Sequence, residues 1–519
     1  MKKPLILLIT TATASNKTAE ENLGLAYIAS TCRANNFEVE IIDGWLENLS
    51  TDDIVNKILQ KRKPIFIGFS CNQLNTPTAI EIAKYLKRTF PKIPLVAGGF
   101  SPTFNPQKFL DSGFDFVSLA EGEETLLKLG EFFLNNTSIE NIPGICYYTT
   151  AGELQYVKPK TIHNLDSLPF PSRDTMQHVI NAKTPVNMCT SRGCTSSCLF
   201  CSISAFWNLC DGSKWRGRSL DNIVNEIEDL YKNGARHIKF VDDSFIESPR
   251  DNIWCKQFAD EILNRNIDIK LRITLKADMV SDDIINHLCK AGCNLFACGI
   301  ENFSDSALKR MGKKATSEQN QKALDIFKKH NVYVQMGFIL FDYGTTMSEL
   351  KENYVLLKKY SWTICRGVFS EMYAAKGTAY TNLLQKKGVL KCENLENYEY
   401  DIRNPQVRQV YKALKTWHIS HMRMYNMVIE PINKPKVLSD KGLEKFYRVY
   451  LKIREKDLSF MGKVLELVEN NVSEEVLNHF VEHEIKNCTD WFNTYEGKIQ
   501  QMFCDENITY IADDDPFTN

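Results

Sequence analysis

Short apolar runs alternate with amphipathic helical stretches over roughly the first 370 residues of this 519-residue chain, and that alternation limits its fold more than any other feature. Runs at residues 4–10, 38–42, 64–69, 94–97 and 114–119 are separated by helical segments, the first carrying Leu23, Leu25, Ala26 and Ile28 at helical spacing. Strand–helix order with continuous apolar strands predicts a parallel sheet covered on both faces, a doubly wound Rossmann-like domain over residues 1–135. Ligands of such sheets bind at the carboxyl ends of the strands. Ser70 and Asn72 follow the third run and Gly98-Gly99 the fourth, so these are candidate binding positions. Paired glycines let a backbone approach a bulky ligand, and they also make ordinary turns.

Residues 136–183 read as a connector, with Pro143-Gly144, a short strand pair around 146–148 and 154–157, and Pro169 and Pro171 as punctuation. From residue 184 the alternation resumes, with runs at 186–189, 237–241, 269–274, 295–300, 332–341 and 362–372. In the helix between the first two, Ile223, Ile227 and Leu230 share a face and Gly234 ends it. Six such units predict a partial (β/α)6 TIM-like barrel over 184–385, with its active site at the C-terminal strand ends. Residues 386–519 read as a mainly helical, charged substrate or accessory region. There His418, His421 and Met422 either face a substrate or pack into a helix interface, and the last nine residues read as a loose tail.

The first barrel run leads into RGCTSSCLFC, in which Cys194, Cys198 and Cys201 form a Cys-x-x-x-Cys-x-x-Cys run. Three thiolates on so short a loop suit a cubane iron–sulfur cluster and leave one iron without a protein ligand, free to bind a small molecule. A structural zinc site keeps four ligands, and no second Cys or His pair follows at zinc-finger spacing. Cys189 reads as a strand residue and Cys210 as a loop thiol, whereas Cys289, Cys293 and Cys298 read as core packing rather than a second cluster.

At this point the chain resembles the radical S-adenosylmethionine (SAM) enzymes, whose signature has this spacing with an aromatic residue before the last cysteine, here Phe200. The resemblance implies a [4Fe-4S] cluster on the three cysteines and SAM chelated to the open iron. Asp242 and Asp243 follow the second barrel run, where many relatives carry a Gly-Gly-Glu that holds SAM's amino group; the glycines are absent here, and the resemblance makes a carboxylate of this pair a candidate SAM contact. Arg272, Glu301 and Gly337 occupy places where relatives contact SAM, although Arg272 and Glu301 equally suit a polar lining of the barrel mouth. The N-terminal third resembles the cobalamin (B12)-binding domain of one large subgroup through LGLAYIAS, VEIIDG, IGFS, VAGGFSPTFNP and DFVSLAEGEETL. That resemblance makes Ser70, Asn72, Gly98, Gly99, Glu121 and Gly122 the candidate cobalamin contacts. The Asp-x-His element of the wider cobalamin fold is missing, and the first histidine of the chain is His163. Either the corrinoid binds without a histidine ligand or the domain has lost it. The segment with Lys376-Gly377-Thr378 resembles the Pro-Gly-Thr stretch that closes this subgroup's barrel.

The resemblance implies a cobalamin-dependent radical SAM enzyme, a methyltransferase acting on an unactivated carbon through a 5'-deoxyadenosyl radical and methylcobalamin. The alternatives are a B12-dependent rearrangement or cyclisation and a non-catalytic corrinoid sensor. It also implies a small-molecule or peptide substrate and an external electron donor such as flavodoxin or ferredoxin. Lys+Arg of 63 against Asp+Glu of 64 gives no electrostatic reason to expect nucleic acid as a partner. The apolar start of about six residues falls short of a signal sequence and no stretch is long enough to span a bilayer. Sixteen cysteines then read as reduced thiols plus a metal site in a cytoplasmic protein.

Overall fold

In the computed structural model, residues 2–12, 20–135, 137–365, 368–394, 397–433 and 438–508 are described. β1 (Leu5–Thr10) is apolar up to its last residue and buried throughout, as a strand covered on both faces must be. Its side chains divide with the period of two: Leu5, Leu7 and Ile9 enter one core layer, Ile6 and Leu8 the other. β1 lies between β2 (Glu38–Asp43) and β3 (Phe66–Ser70), and β4 (Leu95–Gly98) and β5 (Phe116–Ser118) continue the sheet, all parallel. The strand pair expected inside the connector, β6 (Ile145–Tyr148) and β7 (Leu154–Tyr156), extends this same sheet antiparallel to β5. The reason is burial: Ile145 and Cys146 are fully covered, whereas every residue of the outer β7 is exposed.

The second sheet holds β8 (Val186–Met188), β11 (His237–Phe240), β12 (Lys270–Lys276), β13 (Cys293–Glu301) and β14 (Tyr333–Phe338), all parallel, in the order 14-13-12-11-8. A small antiparallel pair, β9 (Ser191–Gly193) with β10 (Trp215–Gly217), brackets the cysteine loop. Along β12, Leu271, Ile273 and Leu275 are buried against the helices while Arg272, Thr274 and Lys276 are half-buried on the other face. The sixth run, 362–372, pairs with β14 and its extension through isolated parallel bridges, Gln335 with Ile364 and Phe341 with Glu371. The helix Leu220–Lys232 buries Ile223, Ile227 and Leu230 as its spacing predicts, and Gly234 follows at φ +101°.

Three long helices, Pro405–Asn433, Asp440–Glu469 and Glu474–Asp505, pack together and cover the open side of this partial barrel. Near the sixth run, Tyr425 Oη donates to Cys365 O, and Tyr450 Oη accepts from Cys365 N at 2.8 Å. Near β8, Lys183 Nζ donates to Glu506 O at 3.1 Å. His421 sits in the bundle core at a kink, 3.1 Å from Asp457 and stacked on Phe492. His418 and Met422 are half-buried beside it. Cys293 and Cys298 are buried in β13, and Cys289 is half-buried. Among the described residues no helix is long and apolar enough to cross a membrane. The C-terminal tail expected at 511–519 lies outside the described residues.

Candidate functional site

The cysteine loop leaves the C-terminal end of β8, the end at which barrel chemistry gathers. Two backbone bonds fasten its middle: Leu199 N–H donates to Met311 O at 2.9 Å, and Tyr380 N–H donates to Leu199 O at 2.8 Å. Phe200 packs with Leu199 against Met311 and Tyr380, so this aromatic side chain helps anchor the loop. Thr195 Oγ1 donates to Glu247 at 2.6 Å, and Glu247 in turn pairs with Lys276 at 2.8 Å. Burial alone would raise the Glu247 carboxyl, but the bonds from Lys276 and Thr195 hold it below its ordinary range. Cys194, Cys198 and Cys201 are all half-buried on this loop. Burial pushes all three thiols up, Cys198 to about 11, so a metal centre must displace their protons when it binds.

Opposite the loop, the backbone bulges between Gly299 and Glu301, and Glu301 holds a left-handed φ of +64°. Strain of that kind persists only where the surroundings enforce it, and it collects at functional sites. A Cβ on Gly299 would meet Glu301 Oε1 at 2.8 Å and one on Gly337 would meet Oε2 at 3.4 Å, so both glycines keep space beneath this carboxylate. Lys313 lies 3.6 Å from Glu301 and donates to Gly299 O at 3.0 Å. Its charge also pulls the Cys198 thiol back down. Among the described residues no three His, Cys, Asp or Glu side chains converge on a single-ion site, whereas three thiols on one loop, an open glycine-lined floor and a carboxylate–ammonium pair leave room for a cluster with a zwitterionic ligand.

The other expected SAM contacts separate. Asp242 is buried, accepts from Thr190 N at 2.7 Å and lies 3.9 Å from Arg250, so its carboxylate braces the start of the loop. Asp243 accepts from Gly193 N at 3.0 Å and from Trp207 Nε1 at 3.1 Å, clasping both ends of the cysteine segment. Arg272 donates to Gln335 at 2.6 Å across the barrel. None of these bonds is made to the cysteines.

A cavity of about 290 Å³ opens at the carboxyl ends of β1, β3, β4 and β5. Ser70, Gly98, Gly99, Glu121 and Gly122 all line it. Asn72 does not; its Oδ1 caps the following turn by accepting from Leu74 N and Asn75 N. Gly99 has φ +101° and its Cβ would lie 2.5 Å from Cys71 O, so only glycine fits there. Ser118 Oγ, also in the cavity wall, is buried with no hydrogen-bond partner, and a ligand carrying a polar group would satisfy it. The apolar walls and the free hydroxyl fit the aromatic tail of a corrinoid. The Glu121 carboxylate is engaged within the chain: it accepts from Arg192 at 2.6 Å, Arg216 at 2.7 Å and Ile162 N at 2.7 Å. Cys189, Trp207 and Val241 of the barrel close the same cavity, which therefore faces the cysteine loop.

Glu247, Lys276, Lys313, Arg192 and Arg216 carry much of this arrangement and no sequence motif marks them. Each acts through a partner at least 29 positions away, except for Lys313, which sits 12 from Glu301.

Two family models match the chain, the B12 binding domain over residues 9–129 and the radical SAM superfamily over 188–357. The chain belongs to the radical SAM superfamily, in the subgroup that carries a B12-binding domain ahead of the radical SAM domain. Among curated proteins it is 29% identical to an uncharacterised methyltransferase of Pyrococcus horikoshii, over 65% of this chain and 73% of that protein. It is 27% identical to 4'-phospho-dehydrooxetanocin synthase of Priestia megaterium, over 65% of this chain but 48% of that protein. The fold is that of the cobalamin-dependent SAM radical enzyme OxsB, solved with aqua-cobalamin and SAM bound: TM-score 0.79, 19% identity, covering 99% of this chain and 82% of that one.

Proposed function

We propose that this protein is a cobalamin-dependent radical SAM methyltransferase acting on an unactivated carbon. The observation that carries the reading is the shared cavity, walled by the strand ends of the N-terminal sheet on one side and by Cys189, Trp207 and Val241 on the other. A corrinoid seated there faces the mouth that holds Cys194, Cys198 and Cys201. When bound, the cluster and one SAM supply a hydrogen-abstracting 5'-deoxyadenosyl radical, and the corrinoid supplies a methyl group drawn from a second SAM. The three cysteines hold the cluster. Gly299 and Gly337 leave room for SAM, with Glu301 and Lys313 oriented toward its charged end. Glu247 and Asp243 keep the loop in register, and the C-terminal helices exclude water from the open side of the barrel.

An external one-electron donor such as flavodoxin or ferredoxin, a cytoplasmic setting and a small-molecule or peptide substrate belong to the same proposal. A second reading, rearrangement or ring formation without methyl transfer, is favoured by the similarity to a synthase. Anaerobic turnover with methyl-labelled SAM separates the two. Label in the product supports methylation; 5'-deoxyadenosine with an unlabelled product contradicts it. The Cys198→Ala variant is expected to lose deoxyadenosine formation by at least about a thousandfold, since one cluster ligand is gone.

A further inference from the structure

Buried guanidinium groups in this protein come with acids: Arg173 with Glu21, Arg192 and Arg216 with Glu121, Arg218 with Glu226. Arg454 differs. It sits in the helix Asp440–Glu469, is 1% exposed, and its Nε, Nη1 and Nη2 have no hydrogen-bond partner. Among the described residues no carboxylate forms an ion pair with it: Asp457, three positions on, acts on it by charge but directs Oδ1 to Trp417 Nε1 at 2.8 Å and to His421 Nε2 at 3.1 Å, and its Oδ2 has no hydrogen-bond partner. The hydroxyls of Tyr425 and Tyr450 are used on the backbone of Cys365 and Thr363. A buried guanidinium with no hydrogen bond at any of its three nitrogens is costly even with a carboxylate nearby, so an anion that completes it is the economical explanation.

Position supplies the second argument. Tyr450, one helical turn before Arg454 on the same face, is bonded to the sixth run of the barrel at Cys365. The sixth run pairs with β14 at Gln335 and Ile364, and β14 pairs with β13, the strand that ends at Glu301. Arg454 therefore lies where the covering helices meet the sixth run, on the β13–β14 side of the barrel.

We propose that Arg454 is the docking point for an oxyanion of the substrate, a carboxylate or a phosphate. The planar guanidinium offers two parallel N–H donors that match such a group. Holding the charged end of the substrate there would leave its uncharged carbon skeleton facing the mouth. The inference rests on the radical SAM reading for the meaning of that mouth, and the two fail separately.

The test uses reconstituted holoenzyme titrated with inorganic phosphate, and separately with acetate, against chloride at equal ionic strength. Wild type is expected to show a saturable rise in Tm of about 2 °C or more with at least one anion, phosphate or acetate indicating which group is taken. Arg454→Met should show only the unsaturable drift that excluded salts give any protein, and Arg454→Lys should need roughly ten times more anion. Without added anion, Arg454→Met should melt no lower than wild type, because removing an unpaired buried charge relieves a cost. A saturable response in Arg454→Met, no response in wild type, or a Tm several degrees lower in anion-free Arg454→Met would each overturn the proposal. Deoxyadenosine formation from SAM is scored on the same wild-type samples. Its absence overturns the radical SAM reading alone, whereas its presence without anion saturation overturns the anion site alone.

Discussion

At the scale of single residues, the loop that carries the cysteines depends on Glu247. Its side chain is buried and ties Thr195 to Lys276, so removing it leaves the largely buried Lys276 ammonium without this carboxylate. Glu247→Ala is expected to destabilise the protein by about 3–5 kcal/mol and to lower iron retention after reconstitution. Iron content and Tm of the variant check this, and wild-type values for both would contradict it. The paired glycines give a sharper contrast. Gly99→Ala forces a Cβ to 2.5 Å from Cys71 O in a left-handed backbone, whereas Gly98→Ala meets Ser118 Cβ at an ordinary 3.6 Å. Only the first should distort the cavity, with cobalamin uptake falling in Gly99→Ala and holding near wild type in Gly98→Ala. The cysteine run and the glycine pair were legible because their meaning is local, written in spacing and backbone freedom. Glu247 and Lys313 were not, since nothing near either in sequence tells which partner the fold delivers. Asp242 and Asp243 were expected as SAM contacts, and the partners they have in the structure are Thr190, Arg250, Gly193 and Trp207 of the chain itself.

At the scale of elements, strand–helix alternation read from sequence yields both parallel sheets, because fully buried strands are apolar throughout and their helices carry a single apolar face. Sheet membership at the edges did not follow. β6 joins the first sheet through register with β5, and the described residues of the run at 362–372 pair with β14 and its extension at isolated bridges; both outcomes come from tertiary pairing. The start of β11 carries a titration that tests the packing there. Burial, with Lys270 close by, holds the His237 imidazole down to about 4. Between the unfolded value near 6.5 and about 4, the unfolded chain binds a proton that the folded one refuses, so stability falls as pH drops through this window. The contribution lost by pH 5 is about 2 kcal/mol. Glu21 acts in the opposite sense: burial, with Glu226 sharing its Arg173, raises its carboxyl to about 6, so its contribution is lost as pH rises through that value. His237→Gln therefore isolates the histidine. Its Tm should fall less than that of wild type between pH 7 and about pH 5; an identical fall would contradict the buried neutral imidazole.

At the scale of the whole molecule, two cofactor-bearing units must keep a fixed distance for one substrate to meet both. The interface between them is built for that. Arg192 reaches Glu121 and Glu123 at 2.6 and 2.5 Å, Arg216 shares Glu121 beneath the Trp207 ring, and Phe100 stacks on Phe206 at 4.9 Å. A Cβ on Gly377 would strike Phe104, so the barrel's closing segment also touches the first domain. Glu121, expected from sequence as a corrinoid contact, lines the cavity and also joins the domains, and that second role was invisible because both of its arginines lie in the other unit. Arg216→Met leaves Glu121 with one guanidinium and should loosen this joint, raising the ratio of deoxyadenosine formed to substrate converted by about tenfold. An unchanged ratio would contradict a positioning role. The central claim, one chain holding a cluster and a corrinoid at separate sites, is tested most directly by iron, acid-labile sulfide and cobalt analysis of anaerobically reconstituted wild type beside Cys198→Ala. The account predicts about four iron, four sulfide and one cobalt per wild-type chain, with iron and sulfide lost but cobalt kept in the variant. Wild-type protein without iron and sulfide, or full iron retention in Cys198→Ala, would contradict it.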